Sequence, residues 1–362
     1  MPSDVSRSTD RERQSADRSS LMTLEQFVID RQERFAHSTG SFSRLLRDVS
    51  VAAKIISRNI RRAGILDVMG ETGTVNVQGE KQKKLDRIAH RELVRALRKG
   101  GECCMIGSEE QPDTIPVNPN GETRERYAVF FDPLDGSSNT DVNASVGTIF
   151  SVYVLPEGWE ADDVLDVSLQ RGAKQVAAGY VAYGSSTIFV FTTGNGVNGF
   201  TLDPSIGEFL LSHPDIRIPD QGTMYSTNEA DIEDFSPEVR DFLRWLKRAN
   251  PETGTRIRSR YIGSFVSDFH RNLLNGGLYL YPASPYHPDG KLRLMYEANP
   301  MAFLVEQAGG RASNGHQRIL DLQPETLHQR TPLFIGSESL VTAAEAFLQG
   351  REGEMMGDGA DL

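Results

Sequence analysis

From Ser41 to about Ala63 the apolar residues Phe42, Leu45, Leu46, Val49, Ala52, Ala53, Ile56 and Ile60 recur at helical spacing. Lys83 to Leu97 repeats that pattern through Leu85, Ile88, Ala89, Leu93, Ala96 and Leu97, with Gly100 and Gly101 as a stop. From Tyr127 the period changes. Tyr127 to Phe131, Gly147 to Leu155, Gln175 to Tyr183 and Thr187 to Thr193 are short apolar runs separated by Gly, Ser, Asp and Pro, as strands and turns are. Helical stripes and strand faces must each be buried against something, so the two textures together predict a layered α/β (α+β) architecture. At 362 residues the chain is long enough for a large core without disulfides or structural metals.

Residues 1–20 are almost all polar and cannot offset the entropy of ordering, so they read as a disordered tail. The Pro-, Asp- and Ser-rich stretch from Leu202 to Asp220 is the expected boundary between a half at 21–210 and a half at 211–350, with 351–362 as a flexible tail. In the second half a helix is expected near Ser236 to Ala249 and another from Pro300 to Ala308, capped by Asn299 and ended by Gly309 and Gly310.

Charge narrows the function. Lys and Arg number 39 against 50 Asp and Glu, and the resulting −11 argues against a surface built to grip nucleic acid. No ~18-residue apolar run is present to span a membrane. The two cysteines, Cys103 and Cys104, are adjacent, which is poor geometry for a disulfide and fits a reducing compartment; with no secretory leader, a cytoplasmic location is expected.

The segment Phe130-Phe131-Asp132-Pro133-Leu134-Asp135-Gly136-Ser137-Ser138-Asn139 runs an apolar strand into two carboxylates and a run of small polar residues. Pro133 restricts Asp132 to extended geometry, so the two acids can converge on a divalent cation, while Gly136 to Asn139 can offer backbone N–H groups to a phosphate. The plainer reading is an acidic turn. Ser108-Glu109-Glu110 follows a short apolar run, Cys103 to Ile106, read as a strand; paired surface glutamates are otherwise commonplace. Glu297 precedes the capped helix, where a favourable helix-end charge is the alternative reading. Glu80 and Asp86 flank Lys81, Lys83 and Lys84, an ordinary charged helix start if taken alone. Basic and polar groups for phosphate are Arg260, Tyr261, Tyr281 and Lys291 with Arg293, the last two on one face of a strand-like run ending at Tyr296. His270 and His287 lack a spaced partner for zinc.

Asp132 to Asn139 resembles the signature of the metal-dependent, lithium-sensitive sugar phosphatases, and FDPLDGSSNTDVNASVGTIFSVY looks like class I fructose-1,6-bisphosphatase in particular. Further blocks are similar in the same order: Asn76 to Asp86, Ser108 to Glu110, Met224 to Ala230, Arg260 to Arg271, Gly276 to Pro282 and Gly290 to Ser313. The resemblance spans roughly residues 24–345 and implies the layered α/β (α+β) sugar-phosphatase fold, with alternating helix and sheet layers and two sheets. It implies Mg²⁺, two to three per subunit with Mn²⁺ or Zn²⁺ as substitutes, ligated by Glu109, Asp132, Asp135, Glu297 and the carbonyl of Leu134, with Glu80 near a third metal where the family often has Asp. It also implies Asp86 and Glu110 as the groups that orient and deprotonate the attacking water. Gly136, Ser137 and Ser138 would hold the reacting phosphoryl group, while Asn228, Arg260, Tyr261, Tyr281 and Lys291 would bind the sugar bisphosphate. Arg260 would reach a neighbouring subunit of a homotetramer.

AMP-inhibited members open the first long helix with Gly-Thr-Gly-Glu, where this chain has Ser38-Thr39-Gly40-Ser41. Arg126 and Tyr127 fit the family's nucleotide site, but Val154 stands where a phosphate-gripping arginine would be expected, so weakened or absent AMP inhibition is predicted. The stretch from about Gly64 to Gly79, poor in apolar anchors, is expected to close over the site as a lid. Other readings are a sedoheptulose-1,7-bisphosphatase or dual-specificity enzyme, an inositol phosphatase, and an inactive sugar-phosphate-binding regulator.

Overall fold

A computed structural model of the protein describes residues 22–31, 40–66, 68–75, 81–117, 127–156, 165, 168–248, 256–351 and 353. Thr39, Glu80 and Arg126 lie outside the described residues, as do the expected tail at 1–20 and nearly all of that at 351–362. Helices α1 (Leu24–Asp30), α2 (Gly40–Ile60) and α3 (Lys84–Gly100) form an outer layer, with strands β1 (Glu71–Val75) and β2 (Lys81–Lys83) paired as a ribbon between α2 and α3. Next comes an eight-stranded sheet of β3 (Met105–Ser108), β4 (Ile115–Pro116), β5 (Tyr127–Asp135), β6 (Val146–Val154), β7 (Gln175–Tyr183), β8 (Thr187–Thr192), β9 (Val197–Asp203) and β10 (Glu208–His213). Its spatial order is β10-β9-β8-β7-β6-β5-β3-β4, antiparallel throughout except that β3 runs parallel to β5.

The second half contains β11 (Met224–Ser226), α4 (Pro237–Lys247), β12 (Arg258–Ser259), α5 (Phe265–Asn275), β13 (Leu278–Tyr281), β14 (Leu292–Arg293), a π-helical turn at Leu294–Ala298 and α6 (Asn299–Gln307). It ends with β15 (Arg311–Ser313), β16 (Arg330–Thr331), β17 (Leu333–Gly336) and α7 (Glu338–Leu348). A five-stranded sheet is ordered β12-β11-β13-β17-β15, and β14 pairs with β16 as a separate short ribbon.

Alternation along the strands explains the layering. Phe131, Val152, Val181, Phe189 and Phe191 meet Leu45, Val49, Ile56, Leu85 and Leu93 of α2 and α3. The opposite face, with Ile149, Ala178, Tyr180 and Val190, meets Val266 and Phe269 of α5 and Met301 and Leu304 of α6. Those two helices also cover Tyr279, Ala312 and Ile335 of the second sheet. The far face of that sheet (Tyr225, Leu278, Leu280, Phe334) packs on Phe242 and Leu243 of α4 and Val341 and Phe347 of α7. The order is therefore helix, sheet, helix, sheet, helix, with β5 to β8 enclosed on both faces.

The stretch from Leu202 to Asp220, the expected boundary, holds the end of β9 and all of β10, because Phe209 and Leu211 are buried at period 2 while Pro204, Ser205 and Gly207 form the turn between the strands. Two local expectations are corrected. The run after Lys291 is a strand only as far as Arg293 and then winds into the π turn. Asn299 is no N-cap: Ala298 before it already has helical angles (φ −67°, ψ −47°), so the chain enters α6 without an extended residue. The Asn299 side chain instead donates to the Tyr153 hydroxyl at 3.3 Å.

Candidate active site

Two acids three apart on a regular strand point to opposite faces. In β5 they do not, because the register against β6 slips between Asp132, opposite Ile149, and Asp135, opposite Gly147. Three steps on β5 match two on β6, a bulge that accommodates Pro133 and swings both carboxylates to one side. Thr148 secures it by donating to the Pro133 carbonyl at 2.8 Å. Gly136 follows at φ +72°, and a Cβ there would lie 2.6 Å from Cβ of Ser264, so both the backbone angle and the close approach require glycine. Ser137–Val142 then form a 3-10 helix. The Asn139 N–H closes on the Gly136 carbonyl (2.9 Å), so Asn139 is not part of the expected phosphate cradle.

The remaining acids arrive from elsewhere in the chain. Parallel pairing of β3 with β5 sets Ser108 beside Phe131, and Glu109 N–H donates to the Phe131 carbonyl at 3.2 Å, which brings Glu109 alongside Asp132. Glu297 lies in the π turn, where its carboxylate accepts the Arg293 N–H at 2.7 Å. Asp135 accepts the Ser264 hydroxyl (2.7 Å) and the N–H groups of Phe265 (3.1 Å) and Val266 (2.8 Å) at the start of α5. Asp86 sits in the first turn of α3 and accepts the Lys83 N–H at 2.8 Å. Glu110 accepts from the Gln82 side chain.

These groups line one cavity of about 420 Å³. Asp86, Glu109, Glu110, Asp132, Asp135 and Glu297 line it with Leu134, Gly136, Ser137 and Ser138, and so do Tyr261, Tyr281 and Lys291. Asn228 and Arg260 are not among the lining residues. The Asn228 side chain accepts from Ala230 N–H (3.3 Å) and donates to Asp231 (2.9 Å), while exposed Arg260 donates to the Ser259 carbonyl (3.0 Å). Glu71 and Lys83 of the β1–β2 ribbon also line the cavity, and Asp141 accepts from Lys83 Nζ (2.9 Å) and Gly70 N–H (3.0 Å). Neither Glu71 nor Lys83 stood out in the sequence, where the lysines looked like a charged helix start. Arg293 does line the cavity with Lys291, but its buried guanidinium faces acids: it lies 2.9 Å from Glu109 and 3.7 Å from Glu297. His90, unremarked in the sequence, contacts Ser108 Oγ at 2.9 Å, and that oxygen accepts the Glu110 N–H at 3.3 Å.

The electrostatics follow from this crowding. Burial, reinforced by Glu109 and Glu297, holds the Asp132 carboxyl well above the usual carboxylate range. Burial likewise raises Glu297 and Asp135, against the pull of Arg293 on the former and of Ser264 and two amides on the latter. Burial pushes Asp86 up to about 7, against the Lys83 amide and with repulsion from Glu110 adding to the rise. Asp132, Asp135 and Glu297 each offer an oxygen, all within 4.8 Å of one another. A buried, all-oxygen acid cluster of this kind fits a hard divalent cation and offers no soft ligand.

The sign of the pH effect is fixed by these shifts. Between about 4 and about 8 the folded cluster keeps protons that the unfolded chain has released, so without metal stability falls as pH rises through that window. The metal-free melting temperature should drop by roughly 5 °C between pH 5.5 and 8.5 in EDTA, and millimolar Mg²⁺ should flatten the curve. Scanning fluorimetry across pH decides it; a metal-free curve that rises would contradict the assigned shifts.

Models of known families match the chain twice. The model described as Fructose-1-6-bisphosphatase, N-terminal domain, matches residues 22–214, and the C-terminal domain model matches residues 218–349. A Salinibacter ruber protein named fructose-1,6-bisphosphatase class 1 1 is 79% identical over 338 residues, 93% of this chain and 95% of that one. A Cytophaga hutchinsonii protein named fructose-1,6-bisphosphatase class 1 is 52% identical over 331 residues, 91% and 95% of the two chains. Among solved structures, the holo form of Leishmania major fructose-1,6-bisphosphatase superposes with TM-score 0.85 at 42% identity, covering 91% of this chain and 99% of that one. With both halves matched and such identity along nearly the whole length, the chain belongs to the class 1 fructose-1,6-bisphosphatase family.

Proposed function

We infer that the chain hydrolyses the 1-phosphate of D-fructose 1,6-bisphosphate to fructose 6-phosphate and phosphate, using Mg²⁺. The observation that carries this reading is the convergence of buried Asp132, Asp135 and Glu297 within 4.8 Å, in a cavity that Lys291, Tyr261 and Tyr281 also line. Asp132, Asp135, Glu297, Glu109 and the Leu134 carbonyl would hold Mg²⁺. When bound, it neutralises the phosphoryl oxygens, acidifies the attacking water and stabilises the departing sugar oxygen.

The chain's own groups do the rest. Asp86 and Glu110 orient the water and take its proton. The N–H groups of Gly136, the N-cap, and of Ser137 and Ser138 in the first turn of the 3-10 helix hold the reacting phosphoryl group in line. Lys291, with Nζ 5.7 Å from the Tyr281 ring centroid, grips the distal phosphate with Tyr261. That phosphate does not react; it fixes where the other one lies. The first half thus supplies most of the acids and the second Lys291 and the tyrosines, with Glu71 and Lys83 lining the same cavity. Exposed Arg260 is read as completing a neighbouring site in a homotetramer. No described helix is long and apolar enough to cross a membrane, and the two buried, unpaired thiols accord with a reducing cytoplasm.

Phosphate release is to be measured with fructose 1,6-bisphosphate, sedoheptulose 1,7-bisphosphate and an inositol phosphate, with and without Mg²⁺. The reading expects Mg²⁺-dependent turnover fastest with the first; turnover of none would favour a binding regulator. A second expectation concerns AMP. Val154 is an aliphatic residue at the end of β6 and can give a nucleotide phosphate no charge, so activity should be insensitive to AMP at micromolar concentrations. Strong cooperative inhibition in that range would refute it.

A further inference from the structure

Tyr261 reaches the cavity from a segment with little to hold it by burial: Tyr261 is 42% exposed and Ile262 40%. The segment leaves the second sheet after Arg260, whose N–H donates to the Tyr225 carbonyl at 2.8 Å. Beyond that point its backbone is gripped by two side chains of α5. Asp268, fully buried, accepts the Ile262 N–H on both carboxylate oxygens (3.0 Å each) and the Gly263 N–H (3.0 Å). One turn on, the Arg271 guanidinium donates to Asp268 (2.7 Å), to the Arg260 carbonyl (2.7 Å) and to Ser226 Oγ (2.9 Å). Backbone groups on both sides of Tyr261 are therefore fixed by one ion pair, and hydrogen bonds to charged groups are the strong kind. Gly263, at φ +83°, turns the chain straight into the Ser264–Val266 donors that hold Asp135.

We propose that Asp268, braced by Arg271, is a positioning residue for the substrate, which sets the pose of Tyr261 and through it the grip on the distal phosphate while touching neither substrate nor metal. The proposal rests on the reading of Tyr261 as a contact of that phosphate. An aspartate is required rather than its amide because three N–H contacts converge on the carboxylate from Ile262 and Gly263, and an Asn NH₂ in place of one oxygen would face donors instead of accepting from them.

The test uses the full chain and fructose 6-phosphate, which carries only the distal phosphate, so that binding is read without turnover or metal. Calorimetry on wild type, Tyr261→Phe, Asp268→Asn and the double variant is paired with steady-state kinetics on fructose 1,6-bisphosphate. Asp268→Asn should weaken fructose 6-phosphate binding and raise KM by roughly tenfold, one hydrogen-bonded contact's worth, with kcat within about threefold and the Mg²⁺ half-saturation unmoved. The double variant should be no worse than Asp268→Asn by more than about twofold, since both act on one contact. If Asp268→Asn does not fold, Arg271→Gln, which releases the Arg260 carbonyl and keeps Asp268, should give a smaller effect of the same kind. Unaltered binding, an equal fall in kcat with a shifted Mg²⁺ requirement, or additivity with Tyr261→Phe overturns the proposal. Wild type and Tyr261→Phe binding alike would remove the Tyr261 reading and the proposal with it, whereas failure of the wild type to turn over any bisphosphate would strike the proposed function.

Discussion

Asp132→Asn should lower turnover by at least about 10³-fold while making the metal-free protein more stable, not less. Asp132 is 3% exposed and its carboxyl is raised by burial and by Glu109, Glu297 and Asp135. Its hydrogen bond from the Leu134 N–H at 2.9 Å needs only an oxygen acceptor, which Asn retains, and the Asn amide can donate to the neighbouring Glu109 carboxylate. The substitution thus removes a poorly compensated buried charge and little else. The expected result is a metal-free melting temperature higher by about 2–4 °C, near neutral pH or above, with most of the Mg²⁺-induced rise lost. Fluorimetry with EDTA and with Mg²⁺, beside a phosphate-release assay, separates the two effects. A melting temperature that falls together with activity would mean that Asp132 serves packing first.

Glu110→Gln should leave KM within about threefold and cut kcat by roughly 10²–10³-fold, the usual worth of a positioned base. Glu110 and Asp86 reach the cavity from different elements, and Glu110 adds to the forces holding Asp86 near 7. A base must be unprotonated to act, so kcat/KM should rise with pH through the pKa of the pair. A nearby bound cation lowers that pKa, and the acid limb should therefore lie below 7 at saturating Mg²⁺ and move upward as Mg²⁺ becomes limiting. Unchanged turnover in Glu110→Gln would assign the proton to another group, with Asp86→Asn the next variant to measure.

The layered fold was legible because the stripe from Phe42 to Ile56 keeps the helical period and 175–183 is a short apolar run bounded by turn residues, and both occupy the elements that those patterns predict. Asp132 to Ser138 stood out because turn formers directly follow an apolar strand. What could not be read is long-range. Nothing local says that β3 will lie parallel to β5 and bring Glu109 to Asp132, nor that a register slip will turn Asp132 and Asp135 to one side. Lys83 and Glu71 matter only once their ribbon folds over the cavity. Asn299 satisfied the rules for a cap and lost to tertiary context, since the preceding π turn delivers the chain already helical. Arg293 looked like a phosphate ligand by its spacing from Lys291, whereas its buried guanidinium faces Glu109 and Glu297.

That π turn has a consequence for how this sequence can vary. Each residue of a helix turns the chain by about 100°, so a wide turn is a place where one extra residue is stored. Deleting any single residue between Leu294 and Ala298 would let the segment relax into ordinary α-helix and rotate what precedes the deletion by about a quarter-turn relative to α6. Glu297 and the strand that ends at Arg293 could then not both keep their places. The segment should therefore accept no change of length, and a library of one-residue deletions across 290–300 should show a gap in active clones there.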